Sequence, residues 1–224
     1  MFGAAIFAFE PRLIQNSLLG LNESLYIFCG TIALVLFLKN QKTSTYVAFA
    51  FIGFASIVRS EGLFLFFALS IMYIIRYRKN KSELMRYSIL VAIFAASVLP
   101  IAILRIEITG TDALTGRIVN EAIAASSASN VGITVYVKNT IITFFEFLGR
   151  NMVPIFAFFV PVGAFLIFKN RTFEKTTIII TTIIMSIPAF YAYSIPASDT
   201  KYLYFLHPIF CVLAVLAVKK YDEI

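Results

Sequence analysis

The chain has 224 residues, 60% of them hydrophobic and only 14% charged, with a mean hydropathy of +0.87. Soluble domains carry about 25% charged residues, so no complete water-facing shell can be built from this composition. The formal net charge of +7 does not mark nucleic acid as a partner, because the cations sort by loop and mark membrane topology instead.

In chain order, Met1 to Phe9 is apolar but has neither the basic region nor the small-residue cleavage site of a signal peptide. It reads as the tail of an interrupted helix and predicts that the chain is part of a longer polytopic protein. Pro11 ends that segment, and a polar run through Gln15, Asn16, Ser17 and Asn22 follows. A spanning helix takes about 20 mostly apolar residues, and seven stretches are candidates: Glu23 to Leu38, Thr45 to Val58, Gly62 to Ile75, Tyr87 to Leu104, Met152 to Phe168, Thr176 to Ser194 and Tyr202 to Val218. Short polar knots separate them and no linker interrupts the series. The expectation is therefore one all-α integral membrane domain over residues 1–224, a polytopic bundle of about seven transmembrane helices.

The second and third candidates are short, each about 21 Å at 1.5 Å per residue against a hydrocarbon core of about 30 Å. They predict a shallow hairpin whose turn, Arg59 to Gly62, either lines a wet cavity or is shielded by other helices. Between the fourth and fifth candidates, Ile133, Val137, Ile141, Phe144, Phe145 and Leu148 recur at helical spacing. They predict an interfacial amphipathic helix in a long outer loop; the alternative extends the Met152 span into the bilayer, leaving Lys138 and Glu146 to find buried partners.

The knots at Lys39 to Ser44, Arg76 to Arg86, Lys169 to Lys175 and Lys219 to Ile224 gather most of the 19 Lys and Arg. The positive-inside rule puts them, with the C-terminus, in the cytoplasm. Glu10 to Asn22, the Arg59 turn, Arg105 to Asn151 and Ile195 to Lys201 then face outward or into a lumen. Cys29 and Cys211 lie inside apolar runs and suggest packing rather than a disulfide framework.

Arg59 and Glu61 are the sharpest signal, since each ionisable group at membrane depth costs about 2.5–3.5 kcal/mol on insertion scales. Either they form a structural ion pair, or Arg59 holds a phosphate while the carboxylate orients it. A second cluster holds Asp199, Thr200, Lys201, Tyr202, His207 and Pro208. His207 is the single histidine, which excludes a multi-histidine metal site, and by itself it reads as a packing residue. Lys201 either snorkels or meets a lipid phosphate. Glu23, at a helix start, gains from the helix dipole or faces a cavity. Glu107, Asp112 and Glu121 read as solvated. No phosphate-binding glycine loop, zinc spacing or Gly-x-Ser-x-Gly elbow occurs.

The strings EPRLIQNSLLGLNESLYIFCGTIALVLFL, IVRSEGLFLF and DTKYLYFLHPIF resemble the multi-spanning GT-C glycosyltransferases, in particular the dolichyl-phosphate-mannose protein mannosyltransferase-like branch of archaea and bacteria. The resemblance implies a plasma-membrane enzyme that transfers a sugar from a polyprenyl-phosphate carrier to an acceptor at the outer or lumenal face. It implies that Arg59 and Lys201 contact the carrier phosphate, Glu61 supports the turn, Glu23 faces the cavity and Tyr202 borders it. The family's catalytic carboxylate lies in a first outer loop that this chain lacks, so the resemblance implies a chain inactive by itself. Family members often pair acidic residues with a divalent metal; no such pair is assignable here. Two other functions fit the same pattern: a transporter or lipid flippase, with the hairpin as a broken-helix site, and a noncatalytic subunit of a membrane complex.

Overall fold

A computed structural model describes residues 7–18, 22–109, 133–151, 154–169, 172–193 and 200–222. Among them the chain is helical, with no strand. Contacts divide it into two compact units, Leu25–Ala128 and, together, Met1–Ser24 with Ser129–Ile224.

The chain enters through α1 (Pro11–Leu18), capped from the residue before it: the Glu10 carboxylate accepts a hydrogen bond from the Leu13 N–H at 2.7 Å. Then α2 (Glu23–Leu38), α3 (Lys42–Val58), α4 (Gly62–Tyr77) and α5 (Lys81–Thr109) follow, and from Leu25 onward they make up the first unit. Asn40 ends α2 in the left-handed region at φ 56°, a conformation that asparagine tolerates better than most residues. Its side chain accepts a hydrogen bond from the Tyr77 hydroxyl at 2.9 Å, fastening the end of α2 to that of α4. On the same side Glu83 pairs with Lys42 at 3.7 Å and with Arg86, and its carbonyl accepts the Tyr73 hydroxyl at 3.0 Å.

The core of this unit is apolar, with Phe49, Ile52, Leu65, Leu69 and Met72 fully buried. Phe66 of α4 stacks on Phe94 of α5 at 4.1 Å and meets Phe49 of α3 edge-on at 5.9 Å. α3 and α5 approach closely at Gly53, where an added Cβ would lie 2.6 Å from the Ser97 Cβ. A small residue at such a crossing lets backbones approach, a habit of helices in lipid.

The second unit contains α6 (Ile133–Asn151), α7 (Pro154–Lys169), α8 (Phe173–Ala192), a 3-10 segment (Thr200–Leu206) and α9 (His207–Asp222). α7 and α9 touch backbone to backbone: a Cβ on Gly163 would stand 2.1 Å from the Leu213 carbonyl oxygen. The continuous helix expected from Tyr202 to Val218 is a 3-10 run that becomes α-helical at His207. Pro208 explains the break. It has no N–H to offer the Tyr204 carbonyl, its ring crowds that carbonyl, and it fits well only in the first turn of a helix.

Other boundaries also move. α3 and α4 are 17 and 16 residues long, or about 25 Å each, so the hairpin is deeper than predicted yet still short of a hydrocarbon core of about 30 Å. The helix predicted from the Ile133 stripe forms, and its stripe divides between protein contacts and exposed positions. Thr140 is buried and Phe144 meets Phe190 and Tyr193 of the α8 end, whereas Ile141 and Phe145 are exposed.

Among the described residues three helical stretches are long and apolar enough to cross a membrane: Lys81–Ile108, Phe173–Phe190 and Tyr202–Lys219. Of the seven predicted spans, the other four are shorter apolar helices. Large apolar side chains are exposed in stripes, as with Phe158, Val162 and Phe165 on α7, while Glu10, Glu23, Arg59, Glu61 and His207 are buried. Water would penalise that arrangement on both counts. Several hydroxyls inside the helices bond their own backbone, Ser56 to the Ile52 carbonyl, Thr182 to Ile178 and Ser186 to Thr182, which satisfies those three without solvent.

Candidate functional site

The turn between α3 and α4 is built by backbone geometry and fastened by charge. Arg59 leaves the helix in an extended conformation, φ −145° and ψ 136°, with its N–H still bonded to the Ala55 carbonyl at 2.9 Å. Three tight i→i−3 bonds then start α4: Gly62 to Arg59, Leu63 to Ser60 and Phe64 to Glu61, at 3.0–3.1 Å. Gly62 is required by space, because a Cβ there would lie 2.5 Å from the Ser56 nitrogen. Any larger residue pushes α4 away from the last turn of α3.

Across this turn Arg59 and Glu61 form a bidentate pair. The guanidinium Nη2 donates to Oε1 at 2.6 Å and Nε to Oε2 at 3.2 Å. Their side chains are 5% and 12% exposed. The pair also complements both helix ends, a cation at the negative C-terminus of α3 and an anion at the positive N-terminus of α4. Tyr26, buried on α2, stands within electrostatic reach of both charges. Sequence reading did not single out Tyr26, because a tyrosine within an apolar run carries no spacing signal.

Of the other predicted site residues, Glu23 is buried in the first turn of α2. Tyr202 is half-buried in the 3-10 segment and meets Tyr193 edge-on at 6.1 Å, and Tyr193 stacks on Phe147 at 4.8 Å. This aromatic group, at the meeting of α6, α8 and the 3-10 segment, was likewise not foreseen. Lys201 lies in that segment; its side chain, like Asp199, Asp112 and Glu121, is outside the described residues. His207 is buried between Tyr204 and Phe210, with ring centroids at 5.8 and 6.3 Å. Arg59 and Glu61 thus belong to one unit, and Glu23, Lys201 and Tyr202 to the other.

Comparison of the chain with family models, curated proteins and solved structures finds no match in any of the three. Among the described residues no group of three or more His, Cys, Asp or Glu could hold a metal ion. Glu10, the acidic residue nearest the start, spends one oxygen on capping α1. What the Arg59 turn offers chemically is a fixed cation whose planar fork is oriented in advance by a carboxylate, in surroundings that strengthen its field.

Proposed function

We propose that the chain is a multi-pass integral membrane protein of about seven spans that binds a polyprenyl-phosphate-linked sugar and serves its transfer to an acceptor at the outer or lumenal face. The single observation carrying this proposal is the buried bidentate Arg59–Glu61 pair at the tip of two short apolar helices. Arg59 meets the carrier phosphate there, and Glu61 acts as a positioning residue that holds the guanidinium plane. Neutralising the phosphate improves it as a leaving group. The basic loops and the C-terminus face the cytoplasm of an archaeal or bacterial plasma membrane.

Alternatively the pair only fastens the α3–α4 turn, an arrangement favoured by its match to the two helix ends. One experiment separates the two. Purified chain is titrated with undecaprenyl phosphate and with undecaprenol, and mixed with a labelled polyprenyl-phosphate hexose. Phosphate-dependent binding that disappears in a folded Arg59→Met/Glu61→Leu variant supports carrier recognition. Equal affinity for the alcohol and the phosphate, or unchanged binding in that variant, removes Arg59 from any such function. Uptake of the hexose into vesicles without transfer would point to a transporter instead.

A further inference from the structure

Unit two holds a second feature, far along the chain from the Arg59 turn. Between α7, α8 and α9 lies an apolar slot of about 150 Å³, lined by Ala164, Ile167, Ile179, Thr182, Ile183 and Leu213. The Thr182 hydroxyl is turned back onto the Ile178 carbonyl at 2.8 Å, so it brings no unsatisfied polarity into the slot. At about 30 Å³ per water the volume would take about five molecules, but cavities lined this way stay dry and accept hydrocarbon.

Topology places cations over one end of the slot. Phe168, beside Lys169 at the end of α7, and Ile179, one turn after Lys175 in α8, both line the slot. α7 and α9 meet at Gly163 and Leu213. Lys169 and Lys219 each stand about 9 Å further along their axes, and both are exposed. Lys175, half-buried, sits in the first turn of α8, one turn above Ile179. Thr172 caps that helix start, its hydroxyl accepting the Lys175 N–H at 3.4 Å, and the positive end of the α8 dipole points the same way. Glu174 is the acidic residue beside them and is exposed.

We infer that this slot with its lysine rim is a binding site for an anionic membrane phospholipid, with an acyl chain between α7, α8 and α9 and the phosphate against Lys169 and Lys175. The occupant is chosen by charge complementarity: hydrocarbon below and cations immediately above is the profile of one anionic lipid and not of a soluble anion. The site lies at the basic end of its helices, whereas the proposed carrier site lies at the tip of a hairpin in the other unit, so each stands or falls alone.

The test is native mass spectrometry of the detergent-purified full chain with dioleoyl phosphatidylglycerol, dioleoyl phosphatidylcholine and dihexanoyl phosphatidylglycerol. Expected is roughly 30-fold tighter binding of the long-chain anionic lipid than of phosphatidylcholine and at least tenfold tighter than of the short-chain lipid. Lys169→Gln/Lys175→Gln reduces the preference over phosphatidylcholine roughly 30-fold, the factor expected for two interfacial lysines, while Lys79→Gln/Lys81→Gln in the other unit leaves it unchanged. Equal binding of the two headgroups, indifference to chain length, or the same loss in both lysine variants would overturn the assignment. The substituted lysines lie at helix ends and in a turn, and helix content by circular dichroism confirms that each variant is folded.

Discussion

Removing Glu61 should be far more damaging than removing the Arg59–Glu61 pair. Glu61→Ala takes hydrogen bonds at 2.6 and 3.2 Å from a guanidinium that is only 5% exposed. Breaking one side of such a buried pair costs about 3–5 kcal/mol. Tyr26 stands close enough to interact with the Arg59 charge, which places the expectation at the lower end, about 3 kcal/mol. Arg59→Met/Glu61→Leu deletes both charges and both desolvation penalties, and should be neutral or stabilising by about 1–4 kcal/mol. The coupling energy of the double-mutant cycle is therefore at least about 3 kcal/mol. SDS titration of the protein in mild detergent, followed by far-ultraviolet circular dichroism, measures each corner. A loss below about 1 kcal/mol for Glu61→Ala would mean an interaction no stronger than a surface salt bridge. A double variant as unstable as the single one would show that the turn depends on charge rather than on shape.

Gly163→Ala puts a Cβ 2.1 Å from the Leu213 carbonyl oxygen, so α7 and α9 must separate; a loss of about 1–3 kcal/mol in the same titration is expected, and an unchanged midpoint would contradict the crossing. Glu10→Ala removes the cap on the Leu13 N–H and should cost about 1 kcal/mol, whereas Glu10→Asp should retain part of it. Cys29 and Cys211 are buried free thiols; a maleimide probe should label them slowly in mild detergent and fully after SDS, and rapid labelling of the folded protein would contradict their burial.

The helical class and the order of the elements could be read from the residues, because runs of apolar residues interrupted by charged knots admit few other structures. Within the α3–α4 hairpin, Arg59, Glu61 and Gly62 stood out for the same reason, as polar or glycine residues between two apolar stretches. Helix ends were less legible. α3 starts at Lys42 rather than Thr45 because Asn40 takes the left-handed conformation and Gln41 an extended one, which are choices of backbone angle that hydropathy does not register. Which face of α6 packs on protein was not legible, because its exposed stripe, Ile141 and Phe145, is as apolar as its packed one, Phe144 and Phe147. Where both sides of a helix avoid water, hydropathy periodicity cannot choose between them.

Composition and order alone settled that these residues form apolar helices, whereas the helix lengths that leave three stretches, among the described residues, long and apolar enough to cross a membrane came from the structure. Charge pairing and close backbone contact were decided only in three dimensions. The angle at which the chain leaves α3 and enters α4 is what brings the Arg59 fork onto the Glu61 carboxylate. Gly163 and Leu213 are fifty positions apart, and no local pattern announces that a backbone carbonyl will rest where a side chain would have been. Local chemistry acts through neighbours in the chain, whereas these contacts depend on how separate helices pack.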